Sequence, residues 1–188
     1  MTMQTPRTAL ILVDVINSFF EAGQPNHYPG VEEVLEPMRA LRAAARRSGA
    51  VVVHAVERHR PGFDDFEWRK LPVHHLEGAQ DAGFFADFAP QGANETVVWK
   101  RRFSAFFATD LALMLTEQGV TRVVIAGVKT NVCIRATAQD AFANGFEPVV
   151  PREATNSNRP HLAEASLEDI HRYMGRVVRL AEAVEMLS

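Results

Sequence analysis

Short, continuous apolar runs recur along this chain, and amphipathic stripes of helical period separate most of them. Ala9–Val13, Ala50–Val56, Thr96–Trp99, Arg122–Ala126 and Glu147–Val150 read as strands, with Arg176–Leu180 a weaker sixth. Runs without polar alternation belong to strands covered on both faces. Val31, Val34, Leu35, Met38 and Leu41 form one helical stripe, and Leu111, Met114 and Leu115 form another that closes near Gly119. Ala136, Ala141 and Phe142 belong to a third, closing near Gly145. Ser166-x-x-Asp169 reads as the opening of a fourth helix, with Gly175 as its stop. Strand–helix alternation of this kind predicts an α/β chain: a parallel sheet with helices on both faces. Arg39, Arg42, Arg46 and Arg47 fall mainly off the first stripe and read as a solvated helix face rather than an anion site. Arg58–Gln91 is the exception to the alternation, a long stretch rich in Pro, Gly, Asp and aromatics. Loops of that length in a compact domain are lids or interface elements.

The 188 residues suffice for one domain with a substantial core, and residues 1–188 are read as a single unit. Net charge −3 supplies no basic footprint for nucleic acid or anionic membrane. No apolar run approaches the roughly 20 residues that span a bilayer. The segment Met1–Arg7 is polar and leads straight into a strand, so no secretory apolar region is expected there. One cysteine makes no internal disulfide, and a reduced, cytoplasmic setting is the expectation.

That cysteine, Cys133, follows the run Val123-Val124-Ile125 and precedes a helical pattern, which places it in the first turn of a helix. Unpaired N–H groups and the helix dipole there favour a thiolate and can hold an oxyanion. Two more titratable residues end strands: Asp14 after Leu10–Val13, and Lys100 after Thr96–Trp99. Ligands of open parallel sheets bind beyond the carboxyl ends of strands. Singly, the three are a turn-capping Asp, a solvated Lys and a gap-filling Cys. Together on adjacent strand ends they are a base, a cation and a nucleophile.

Three segments carry a more specific likeness: Leu12–Phe19, Trp99–Phe106 and Gly127–Ala141, the last containing Gly127-Val128-Lys129-Thr130-Asn131-Val132-Cys133. In content, order and spacing they resemble the signature blocks of the isochorismatase-like cysteine hydrolases. The resemblance implies a three-layer α-β-α fold with a six-stranded, mostly parallel sheet. It implies an Asp14–Lys100–Cys133 triad, a cis peptide between Val128 and Lys129, and an oxyanion hole made by the N–H groups of Lys129 and Cys133. It further implies C–N bond cleavage in a small amide or carbamoyl compound through a thioester, and a homo-oligomer. Isochorismate cleavage itself needs no thiol, so the cysteine favours amide substrates.

Nicotinamidases of this family carry an Asp-x-His metal pair after the second strand. Here the corresponding residues are Glu57-Arg58-His59, with His74 and His75 downstream. Glu replaces Asp, and Arg58 brings positive charge beside a cation, so neither a metal nor another cofactor is expected. His59–Phe66 is more similar to the loop of metal-free ureide-type members. Phe19 and Phe107 match aromatic pocket positions of the nicotinamidases, with Phe103 and Phe106 nearby. Asn17 and Asn131 are candidates to bind a small polar substrate, and Thr155–Arg159 lies at the same end of the sheet. Lys129 is the most informative of these positions: its side chain either binds a substrate carboxylate or carbonyl, or turns outward. The expected substrate is a ureide or biuret-type compound, with a nicotinamidase-like amidase as the alternative. A redox sensor built on Cys133 leaves Asp14 and Lys100 without a role. A dinucleotide-binding domain lacks its glycine-rich turn after the first strand.

Overall fold

The computed structural model describes residues 6–188, so Met1–Thr5 of the polar leading segment lies outside the described residues. Along the chain run β1 (Thr8–Val13), α1 (Asn17–Phe20), α2 (Leu35–Ser48), β2 (Val52–Glu57) and β3 (Glu95–Lys100). They are followed by α3 (Leu111–Glu117), β4 (Arg122–Val128), α4 (Arg135–Ala143), β5 (Glu147–Pro151) and β6 (Thr155–Asn156). The chain closes with α5 (Pro160–Tyr173), β7 (Arg176–Val178) and α6 (Leu180–Met186). The sheet order is β3-β2-β1-β4-β5-β7, every pairing parallel, with the two-residue β6 added beside β4. Six strands correspond to the six apolar runs. The seventh, β6, is too short to leave a periodic signal.

Alternate residues of each strand face opposite layers. Leu10 and Leu12 pack with Val34, Met38 and Leu41 of the α2 region and with Leu187. Ala9, Ile11 and Val13 pack with Leu111, Leu115, Ala138, Ala141, Leu167 and Ile170 from α3, α4 and α5. This is the three-layer α-β-α arrangement. The chain runs outward from β1 through β2 to β3, then restarts at β4 on the other side, so β1 and β4 flank the switch point. Gly127 makes their close approach possible: its φ is 122°, and a Cβ there would lie 2.1 Å from the Val13 carbonyl oxygen.

Two local expectations are corrected. The helix expected to open at Ser166 begins at Pro160, whose fixed φ suits a first helical position. Ser166 is buried inside it and donates to the Leu162 carbonyl instead of capping. Of the arginines of α2, Arg47 is exposed as expected, but the other three are tied to acidic partners. Arg39 and Arg42 converge on Asp87, Arg46 on Glu95, and both Arg39 and Arg42 lie over the Phe88 ring. They pin the long 58–91 segment and the start of β3 against α2.

Candidate active site

At the end of β1 the backbone turns sharply, with Asp14 at φ 54°, a conformation that Asp tolerates better than most side chains. Its carboxylate is fully buried; Oδ1 accepts the Glu57 N–H at 2.8 Å and Oδ2 lies 2.9 Å from Lys100 Nζ. Lys100 does not stand on a neighbouring strand. It ends β3, with β2 between it and β1, and its four-carbon stem crosses the end of β2 to reach Asp14. The same ammonium lies 3.7 Å from Cys133 Sγ. Cys133 sits in a π-helical turn, Thr130–Ile134, that leads into α4. β4 delivers it beside β1, so only Asp14 and Cys133 come from adjacent strands. The preceding Val128–Lys129 peptide is cis, and the Lys129 N–H donates to no backbone carbonyl among the described residues.

Burial governs the electrostatics. It pushes the Cys133 thiol well above its ordinary value, and the Asp14 and Glu57 charges add to this while Lys100 opposes it. The expectation of a ready thiolate at a helix start is therefore corrected: burial and the neighbouring carboxylates favour the protonated sulfur at rest. Lys100, though buried, stays cationic because Asp14 foremost, with Glu57, outweighs the desolvation.

Above Cys133 opens a cavity of about 580 Å³. Phe19, Phe103, Val132, Lys129, Glu57 and His74 are among its walls, and Leu71-Pro72-Val73 of the long segment forms its rim. Phe19 and Lys129 thus stand where substrate-binding groups were expected. Phe107 does not: it is 57% exposed and turned away, while Phe106 fills the core against Phe146. Asn17 is spent on the turn at Gln80, and Asn131 accepts from Ser157 at 2.6 Å, outside the cavity. Asn156 ties Tyr28 and Gly30 together, so the Thr155–Arg159 loop is a brace.

The isochorismatase domain model matches residues 8–182. The chain belongs to the isochorismatase family. It is 40% identical over 186 residues to the maleamate amidohydrolase of Pseudomonas putida, covering 96% of this chain and 87% of that protein. It is 29% identical to the N-carbamoylsarcosine amidase of an Arthrobacter species, covering 96% of this chain and 71% of that one. The crystal structure of an isochorismatase-like hydrolase from Alkaliphilus metalliredigens superposes with a TM-score of 0.86 at 30% identity, covering 99% of both chains.

A pyrazinamidase of Pyrococcus horikoshii, 28% identical with a TM-score of 0.83, was crystallised in complex with zinc. Glu57, His59 and His74 place ligand atoms within 4.8 Å of one another. His59 Nε2 and Glu57 Oε1 are buried with no hydrogen-bond partner. Asp65 accepts from His59 Nδ1 at 2.9 Å, which leaves the Nε2 lone pair free to face the cluster. Arg58, the reason for expecting no metal, points away: its guanidinium stacks 3.2 Å over the Trp99 ring and pairs with Glu77. Strand alternation puts 57 and 59 on one side and 58 on the other. The donor set fits a divalent ion.

Glu67 was not singled out by the spacing. Glu67 is buried and lines the cavity; desolvation, with the Glu57 charge, lifts it to about 7. His75 donates to Glu57 at 3.0 Å, and His74 lies 3.4 Å from the same carboxylate. Glu57 is held well below the ordinary carboxylate range: burial opposes this, but Lys100 and the two histidines outweigh it. Glu67 sits in the aperiodic 58–91 segment, where no pattern predicts which side chains turn inward.

Proposed function

We propose that the protein is a cysteine hydrolase cleaving the C–N bond of a small linear amide or carbamoyl compound. The observation that carries this reading is Lys100 Nζ at 2.9 Å from Asp14 and 3.7 Å from Cys133, whose side chain lines the cavity. Amidohydrolase and amidase activities named for the two relatives support it.

Cys133 Sγ attacks the carbonyl carbon as Asp14 takes the thiol proton, so the thiolate forms only when it is used. The negative charge moves to the substrate oxygen, where the Lys129 and Cys133 N–H groups receive it. Collapse breaks the C–N bond; Asp14 returns its proton to the leaving nitrogen, and a thioester remains. Water then gives a proton to Asp14 and attacks the thioester carbon. Asp14 reprotonates the departing sulfur, releasing the acid. Lys100 stays charged throughout, holding Asp14 in place and stabilising the developing thiolate. Glu57, His59 and His74 would hold a divalent ion, which when bound supplies Lewis-acid polarisation or orientation of a polar substrate group. Ammonia release from maleamate, carbamoyl amino acids, ureidoacrylate, biuret and nicotinamide tests the reading. Turnover of at least one, lost in Cys133→Ala, is expected; undiminished turnover in that variant refutes it.

A further inference from the structure

The carboxylates around the cavity each have a cation or imidazole within ion-pair distance, although neither Glu67 oxygen has a hydrogen-bond partner. Glu57 is met by His74 and His75, and Glu67 lies 3.8 Å from Arg102. Lys129 lines the same cavity as Cys133, yet no carboxylate among the described residues lies within ion-pair distance of it. Its ammonium rests instead 5.6 Å from the centre of the Phe19 ring and 5.4 Å from that of Tyr28. Aromatic faces attract a cation and fix its position without neutralising it. A half-buried cation left in this way gains most from an anion brought by a ligand. The chain geometry adds a ruler. The Lys129 side chain springs from the residue whose N–H is assigned to the oxyanion in the proposed mechanism, four residues before Cys133. A group bound by the ammonium is therefore held a short, fixed distance from the carbon under attack.

We propose that Lys129 is the specificity determinant of this site and binds a carboxylate on the same small molecule whose amide or carbamoyl carbon Cys133 attacks. The inference rests on the cysteine-hydrolase reading and names its substrate class: monoamides of dicarboxylic acids and N-carbamoyl amino acids, ahead of uncharged amides. Burial, which lowers the Lys129 pKa, fits an ammonium poised to gain from a counter-ion.

The test compares two acids, maleamate and N-carbamoylglycine, with two uncharged amides, nicotinamide and biuret, as substrates of the full chain. Lys129→Met keeps the backbone N–H and most of the side-chain length while removing the charge. It is expected to lower the acid-to-uncharged ratio of kcat/KM by about 10- to 100-fold, the size of one charge-assisted hydrogen bond, mainly by raising KM for the acids. Lys129→Arg is expected to restore most of the ratio. A ratio that moves less than about threefold in Lys129→Met overturns the proposal, because a merely structural role lowers both substrate classes together. Calorimetry on Cys133→Ala separates this from the hydrolysis reading. Binding of either acid to that variant, lost on adding Lys129→Met, supports the anchor even if none of the four compounds is turned over. Absence of binding by both acids overturns it.

Discussion

At Cys133, burial and the carboxylates of Asp14 and Glu57 hold the proton on sulfur, and Lys100 pulls the other way with too little effect to free it. Reactivity toward a neutral alkylating agent should then follow the small thiolate fraction. At pH 8, iodoacetamide is expected to modify Cys133 at least tenfold more slowly than an exposed cysteine in a peptide, accelerating as pH rises. Asp14→Asn, which removes one of the charges holding the proton, should speed that labelling; fast labelling of the parent at pH 7 would contradict the assignment. For turnover the direction reverses. Asp14→Asn and Cys133→Ala are both expected to lose at least about 10³-fold in kcat, measured as ammonia release, with an unchanged circular dichroism spectrum. Lys100→Met differs again, because it strands a buried carboxylate. A loss of about 3–5 kcal/mol in denaturant unfolding should accompany its inactivity.

Elements are joined here by carboxylates that each serve several donors. Asp65 accepts from Arg101, Arg102, His59 and the Glu67 N–H, tying the long segment to the residues just after β3. Glu95 does the same between α2 and the sheet: burial raises its pKa, but Arg46, His54 and the Gln91 N–H outweigh this and bring it to about 2. Its side chain is 1% exposed, so solvent screens little of the effect. A depressed folded-state pKa gives stability that is present above the unfolded value, near 4.5, and lost as pH falls through about 2. Glu95→Gln is expected to remove on the order of 3 kcal/mol of that acid-side dependence. Urea unfolding at pH 7, 4 and 2.5 checks it, and parallel curves for the variant and the parent would count against the network. These ties were not readable in the chain. The arginines of α2 show in sequence only as residues off an apolar stripe, and their partners lie 45 and more positions away, in the aperiodic segment and at the start of β3.

On the scale of the molecule, the parallel sheet brings Asp14, Lys100 and Cys133 from three distant segments to one end of the sheet, and the 58–91 segment folds back over them to complete the cavity. The donor set Glu57, His59 and His74 draws on both β2 and that segment, so a bound ion should stabilise their junction. Melting temperature is expected to rise with added Zn²⁺ or Co²⁺ and to lose that response in His59→Gln. A response that survives the substitution would place the ion elsewhere.

Apolar runs and helical stripes, which are local properties of the chain, determined the layers, the six principal strands and the strand-end positions of Asp14, Lys100 and Cys133. Periodicity records which side chains leave water, and that holds whatever lies opposite. Three matters were decided only in three dimensions. Lys100 reaches Asp14 and Cys133 over β2 because strand order is set by crossover packing, not by sequence order. Cys133 holds its proton because desolvation depends on everything packed around the sulfur. Lys129 faces the cavity while Phe107 turns away because loop orientation follows from long-range packing that no local pattern encodes.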